Sequence, residues 1–471
     1  MSDYGLIING KKVFSSNTFS VLNPANEEVI AECPIASKGQ LDEAVSAASI
    51  AFKTWSAEPD NIKAEACGNI SAAITEYAEE LAHLLTLEQG KPLNGAGSRF
   101  ELGGAAGWAG YTSSLSLPVK TIQDDDSARI LQTRKPIGVV GSILPWNWPL
   151  MIGVWHVLPA IRSGNTVVMK PSPYTPLSTL RMAEIMNECL PPGVLNCVSG
   201  EDELGQWMTE HSGIQKIIFT GSIPTGKRVM SSSSATLKRL TLELGGNDAG
   251  IVLDDVDPAA VAPGIIEGAF LNNGQTCAAL KRLYVHESVH DELCEKLAEV
   301  ANAVPMGNGL NEENLQGPIQ NKMQYDKVVG LYEDAKEKGG KVLCGGDIPD
   351  EPGYFMSYTL MTNVTDGMRI VDEEQFGPLL PIIKYSDINE VLEKANGLET
   401  GLGGSVWSSD IERAAEIAAK LECGTAWVNQ HGPIAPNVPF GGVKCSGIGV
   451  EFAEEGLHEY TTIQVVNVAK A

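Results

Sequence analysis

The sequence predicts an α/β protein of two or more domains, in which short parallel strands are joined by crossover helices. Short apolar runs alternate with amphipathic stretches along much of the chain, the pattern of a sheet covered by helices. The 471 residues exceed what one hydrophobic core usually organises. A content of 43% hydrophobic and 20% charged residues, with 49 glycines spread throughout, excludes a disordered or fibrous chain.

The elements follow in order. Apolar residues at helical spacing predict two long helices, over 41–55 and 61–89, covering one sheet face. Residues 121–135 break the alternation as a polar hairpin turning at Asp124-Asp125-Asp126. Strands are predicted over 137–144, 166–170, 194–198, 216–219 and 239–243, with helices over 179–190 and 225–232 between them. A second sheet starts at 250–253, and Asp257-Pro258 caps a helix running to about Asn273. The run 460–466 is strand-like. A two-stranded arm is marginal alone in water, so arm and tail are expected to pair across subunits; edging their own domain is the alternative.

Charge and cysteines bound the function. Acidic residues outnumber basic ones, 59 against 34, which disfavours nucleic acid and anionic membranes as partners. Nine scattered cysteines without a Cys-x-x-Cys pair or nearby histidines argue against a disulfide framework and against a metal site. Residues 1–4 show no basic lead into an apolar stretch, and no apolar run reaches membrane length, so the expected location is cytoplasmic.

Cys277 is the most informative residue. It closes Asn273-Gly274-Gln275-Thr276-Cys277 at a helix-to-loop junction, where a turning backbone presents the sulfur. A lone cysteine is usually an inert core residue. Glu243, ahead of Leu244-Gly245-Gly246, is a carboxylate that can activate water, or simply a solvated loop residue. The glycines after it leave room for another segment or a flat ligand. A thiol titrating near about 8.5 is mostly protonated at neutral pH, so the site must lower that value or remove the proton. No histidine is indicated as the base, which leaves Glu243.

Other motifs are ambiguous singly. Pro145-Trp146-Asn147-Trp148-Pro149 is a packing corner or a loop aiming the Asn147 amide at an oxyanion. Phe219-Thr220-Gly221-Ser222-x-x-x-Gly226 joins a strand to a helix and can face a pyrophosphate. Lys170 meets ribose hydroxyls or phosphate, or is a solvated lysine. Glu374 and Phe376 pair a carboxylate with a ring, suited to a ribose or to ordinary burial and exposure.

Taken together and in this order, these motifs resemble the aldehyde dehydrogenase superfamily, with Pro439 to Gly449 as a further block and Asn23-Pro24-Ala25 near the start. The resemblance covers essentially the whole chain. It implies a Rossmann-like cofactor domain (1–120 and 136–245), an α/β catalytic domain (246–445), and a small β oligomerisation arm (121–135) with a C-terminal strand (458–471), assembled into homodimers or homotetramers. It assigns Cys277 as nucleophile, Asn147 with the Cys277 backbone N–H as oxyanion donors, and Glu243 as general base. For the cofactor, NAD or NADP, Lys170 and Ser172 attend the adenosine ribose, and Gly221 and Ser222 the pyrophosphate. Trp146 and Leu244 are further cofactor contacts, and Glu374 holds the nicotinamide ribose beside Phe376. Glu451 matches a family glutamate near the catalytic water or proton path.

The implied reaction is covalent oxidation of a small-molecule aldehyde to an acid, through a Cys277 thiohemiacetal and thioester hydrolysed by water that Glu243 activates. Members resembling acyl-CoA-forming enzymes lack this glutamate. Many NAD-preferring members carry a glutamate three positions after the lysine; here it is Pro173, so NADP is expected to be accepted along with NAD. Trp148, Met151, Ile152 and Trp155, with Leu271, are expected to line the aldehyde tunnel. No arginine stands at the Trp155 position, unlike enzymes resembling succinic semialdehyde dehydrogenases, so medium aliphatic or aromatic aldehydes fit better. A cofactor-independent thiol esterase, or a non-catalytic nucleotide-binding structural protein such as lens crystallins resembling this family, are the alternatives.

Overall fold

The computed structural model describes residues 4–470. Residues 1–3 and Ala471, the last residue of the expected tail, lie outside the described residues. Among the described residues, no helix is long and apolar enough to cross a membrane.

Five parallel strands, Val139–Ile143, Thr166–Lys170, Leu195–Cys197, Lys216–Thr220 and Arg239–Glu243, form the centre of an eight-stranded sheet. The first four are buried at every residue, because helices cover both faces and no position can be polar for solvent's sake. Their spatial order is third, second, first, fourth, fifth. The chain therefore winds outward in both directions from Val139–Ile143, which opens a crevice at the carboxyl ends of that strand and Lys216–Thr220.

Antiparallel strands close the edges. Leu6–Ile8 and Lys11–Val13 extend one side, and Gly447–Ile448 pairs with Leu242 and Glu243 on the other. The last pairing brings Glu451, distant in sequence, toward Glu243.

The helix Lys38–Trp55 starts in a capping box, Ser37 with Gln40. The single helix expected over 61–89 is instead two, Asp60–Glu76 and Ala78–Gln89, because the backbone at Tyr77 leaves the helical region (φ −95°, ψ 12°). Buried Ile70, Ile74, Leu81 and Leu85 keep helical spacing across the break, so the apolar pattern conceals it.

The second sheet has seven strands in the order Lys341–Cys344, Thr359–Thr362, Leu379–Tyr385, Leu280–His286, Asp248–Val252, Gly403–Trp407 and Thr425–Val428, all parallel except the first. Asp257 caps the helix Pro258–Phe270, accepting from the Ala259 N–H. That helix stops short of Asn273. Asn272, Asn273 and Gly274 all take left-handed backbone angles (φ 51°, 60° and 73°), which no α-helix can contain.

The arm is a hairpin of Lys120–Asp124 and Ala128–Pro136, its turn held by the Asp125 carboxylate accepting from the backbone of Ser127 and Ala128. The tail Thr461–Ala469 pairs antiparallel with the second arm strand of its own chain, from Thr461 opposite Pro136 to Ala469 opposite Ala128. This pairing is within one chain and leaves the arm's other edge for the expected pairing across subunits. The Tyr460 carbonyl, held by the Asn165 amide at 2.9 Å, starts the tail beside its own arm.

Candidate active site

The crevice widens into a cavity of about 840 Å³ bordered by Asn147, Glu243 and Cys277, which come from three distant segments. Trp146, Lys170, Ser172, Gly221, Ser222, Leu244, Glu374 and Phe376 border the same cavity.

Cys277 sits in the loop that turns back after Pro258–Phe270. Gly274 is required there twice over: its φ is left-handed, and a β-carbon would lie 2.2 Å from the Gly377 carbonyl oxygen. The loop is pinned by buried amides, with Gln275 accepting from the Gln320 N–H at 2.9 Å and Asn273 donating to the Gly317 carbonyl at 3.1 Å. Burial pushes the Cys277 thiol up to about 12; the Lys281 ammonium opposes this, and the charges of Glu243, Asp248 and Glu374 reinforce it. The resting sulfur is thus a neutral thiol. It becomes a nucleophile only when a base takes its proton.

Asn147 precedes the helix Pro149–Arg162 and is 3% exposed. Its side-chain NH₂ donates once, to the Gln275 carbonyl at 2.9 Å, leaving a second N–H for an oxyanion. Its own carbonyl accepts from Lys91 Nζ at 2.7 Å and Asn272 Nδ2 at 2.8 Å. Lys91 is in turn ion-paired with Glu101, both side chains fully buried, and Glu101 caps the helix by accepting from the N–H groups of Leu150 and Met151. Removing either partner would strand a buried charge, at a cost of about 3–5 kcal/mol. Sequence reading missed this brace, since a buried acid and a buried lysine carry no local signature.

Glu243 ends its strand buried, with Oε1 unpartnered among the described residues. Burial, and then the nearby charge of Glu451, hold its carboxyl well above the usual carboxylate range. Burial raises Glu451 too. Its Oε1 lies 3.5 Å from Nε2 of His156, an imidazole that burial pushes down to about 3 and that bonds Ser142 and Thr220 at 3.0 Å. His156 is a further buried group that sequence reading did not single out.

The remaining walls suit a dinucleotide. Lys170 is 4% exposed and its ammonium donates only to the Pro171 carbonyl at 3.2 Å among the described residues, so donors remain for hydroxyls. Burial lowers it to about 8, and the Asp202 charge opposes that shift. Ser172 is buried, with its hydroxyl accepting from the Tyr174 N–H. Ser222 caps the helix Ile223–Ser233, so Gly221 and Ser222 set a helix N-terminus on the cavity. At Gly245 a β-carbon would lie 2.5 Å from the Glu374 carboxylate. Glu374 accepts from the Gly246 N–H at 3.2 Å, and the Phe376 and Trp146 rings meet edge to face at 5.3 Å. Phe376 has a left-handed φ of 54°, a conformation that costs energy and recurs at ligand clamps. Among the described residues, no group of three His, Cys, Asp or Glu side chains could hold a metal ion.

The residues expected in the aldehyde tunnel do not border this cavity. They pack in the apolar cluster that includes Ala278 and, at its edge, Cys277 and Leu271. Trp148 braces the Cys277 loop: its indole N–H donates to Thr276 at 2.9 Å and Lys91 lies over its ring at 3.6 Å. Met151 and Ile152 are buried in this cluster. Trp155 meets Trp108 at 5.5 Å and Phe452 at 4.8 Å, and those two rings are 5.5 Å apart. Trp108 and Phe452 were not visible as site residues, because they lie far from any motif and meet Trp155 only through folding.

A model of the aldehyde dehydrogenase family matches residues 13–466. Phenylacetaldehyde dehydrogenase of Pseudomonas fluorescens is 37% identical over 97% of this chain and 93% of its own length. Retinaldehyde dehydrogenase 3 of Homo sapiens is 38% identical over 96% of this chain and 90% of its own. The NAD+ complex of an aldehyde dehydrogenase from Bacillus cereus superposes with a TM-score of 0.96 at 36% identity, covering 99% of this chain and 96% of that one.

Proposed function

This chain belongs to the aldehyde dehydrogenase family, and from that premise we propose that it oxidises an aldehyde to the carboxylic acid through a thioester on Cys277, with NAD or NADP as cofactor. One observation carries the reading: a half-buried thiol, a side-chain amide with a free N–H and a carboxylate of raised pKa border one cavity.

Each residue has a defined task. Glu243, directly or through water, removes the Cys277 proton, and the sulfur adds to the aldehyde carbon. Asn147 and the Cys277 N–H donate to the oxygen that becomes negative. Preorganised donors of this kind lower barriers by about 2.7–4 kcal/mol each. Bound nicotinamide supplies the acceptor for the hydride lost from that carbon. Once Glu243 has released the thiol proton to solvent, it takes a proton from water, which attacks the thioester; the carbon–sulfur bond breaks, the acid is freed, and the Cys277 thiolate leaves and regains a proton from Glu243. Splitting oxidation from hydrolysis replaces one high barrier by two lower ones.

Phenylacetaldehyde in the name of the Pseudomonas relative supports an apolar substrate. Pro173 alone argues for NADP. Asp202 and Glu203, however, border the cavity with Lys170. Their carboxylates disfavour a 2′-phosphate by like charge. A panel of aldehydes assayed with each cofactor therefore gives its highest kcat/KM for aromatic or medium aliphatic aldehydes with NAD, and acid as product. Turnover of an activated ester, without any aldehyde oxidation, would instead indicate a thiol esterase.

The exposed Ile122, Ile463, Val465 and Val468 on the arm and tail favour a homodimer or homotetramer that covers them. Light scattering at micromolar concentration is expected to give a mass at least twice the 50.2 kDa of the chain; a monomer would remove this assignment. Nine unpaired cysteines favour a reducing, cytoplasmic setting.

A further inference from the structure

Lys281 lies four residues beyond the nucleophile, in the strand Leu280–His286, and its side chain returns beneath the loop. The ammonium donates to the Cys277 carbonyl at 2.5 Å and to the Thr276 carbonyl at 2.9 Å, with the Ala279 carbonyl at 3.4 Å. It stands 3.7 Å from Oε1 of Glu374, and the side chain is 3% exposed. A buried ammonium is costly to desolvate, and an apolar side chain of similar length would fill the same space without that penalty. Stability alone does not explain the residue. The chemistry proposed above does not use it.

Its surroundings do explain it. The charged groups that bear on the Cys277 sulfur are the carboxylates of Glu243, Asp248 and Glu374, which oppose a thiolate, and the ammonium of Lys281, which favours it. The same ammonium bridges from the backbone of the nucleophile to Glu374, the carboxylate that the family resemblance assigns to the nicotinamide ribose.

We propose that Lys281 is a positioning residue for the oxidation: it ties the Cys277 loop to the Glu374 carboxylate and supplies the positive charge that favours the thiolate. The proposal rests on the assignment of Cys277 as nucleophile and Glu374 as a ribose contact. It adds a coupling between them. When Glu374 accepts hydrogen bonds from a ribose, its hold on the ammonium relaxes, and the Lys281 charge acts more fully on the sulfur.

Alkylation by iodoacetamide tests this without aldehyde and without turnover. The Cys277 peptide is followed by mass spectrometry from neutral to mildly alkaline pH in the apo protein and with NAD, for wild type, Lys281→Met and Lys281→Arg. In the wild type, NAD speeds alkylation at each pH. Lys281→Met slows alkylation of the apo protein about tenfold and loses the response to NAD, whereas Lys281→Arg retains most of both. If Lys281→Met does not fold, as judged by circular dichroism, Lys281→Gln takes its place. A folded neutral variant with the wild-type rate and the wild-type NAD response overturns the proposal alone. A wild-type Cys277 that iodoacetamide never labels overturns the nucleophile assignment, and this proposal with it.

Discussion

Replacing Cys277 with alanine removes aldehyde oxidation, lowering kcat/KM by about four to six orders of magnitude, as for other covalent nucleophiles. The physical reason is that Cys277 is the one thiol bordering the cavity among the described residues. The remaining donors, Asn147 and the residue-277 N–H, have no charge to stabilise until a nucleophile attacks. The substitution is otherwise mild. The Cys277 sulfur makes no hydrogen bond among the described residues, and the loop is held by Asn273, Gln275 and Lys281 rather than by the thiol. Dinucleotide affinity, measured by calorimetry, should therefore stay within about threefold of wild type. Aldehyde turnover in Cys277→Ala at more than a hundredth of the wild-type rate would sink the covalent mechanism.

Glu243→Gln gives the second large effect, a slowing of thioester hydrolysis by about two to four orders of magnitude, the range for loss of a general base. Its signature differs from that of the cysteine variant. Mixing enzyme, cofactor and aldehyde should leave an acyl adduct on Cys277, visible by intact mass, where wild type shows none at steady state. The pH dependence follows from the direction of the shift. A carboxyl held above its ordinary range by burial and by Glu451 is protonated at pH values where an ordinary glutamate is ionised. Its base form grows as pH rises through that raised value, so the wild-type hydrolysis rate climbs with pH and the climb vanishes in Glu243→Gln. Glu451→Gln removes the neighbouring charge and should move the climb to lower pH. An unaltered hydrolysis rate in Glu243→Gln would assign water activation elsewhere.

Much of this was readable before folding. The central strands are continuous apolar runs because both faces are covered, and such runs show in the sequence whatever their order. Helix starts at Ser37 and Asp257 carry their own caps. Helix ends were less readable: the break at Tyr77 falls inside an unbroken apolar pattern, and the left-handed run of Asn272, Asn273 and Gly274 ends a helix early without proline. Motif residues such as Cys277 and Glu374 stood out because their neighbours are glycines and turn residues with local signatures. Asp202 did not. It lies on an ordinary surface helix, and only the parallel sheet carries it to the side of Lys170.

The sequence by itself determined the alternation of strand and helix, the family and the candidate reacting groups, because these depend on short-range pattern and on residue types at short spacings. Tertiary structure alone decided how those groups are tuned. Lys91, paired with Glu101, reaches Asn147, Glu451 comes near Glu243 and Lys281 reaches Glu374 only after sheets and loops are assembled. Tuning of this kind acts through burial and charge at a few ångströms, distances the chain sets only when residues far apart in order become neighbours in space.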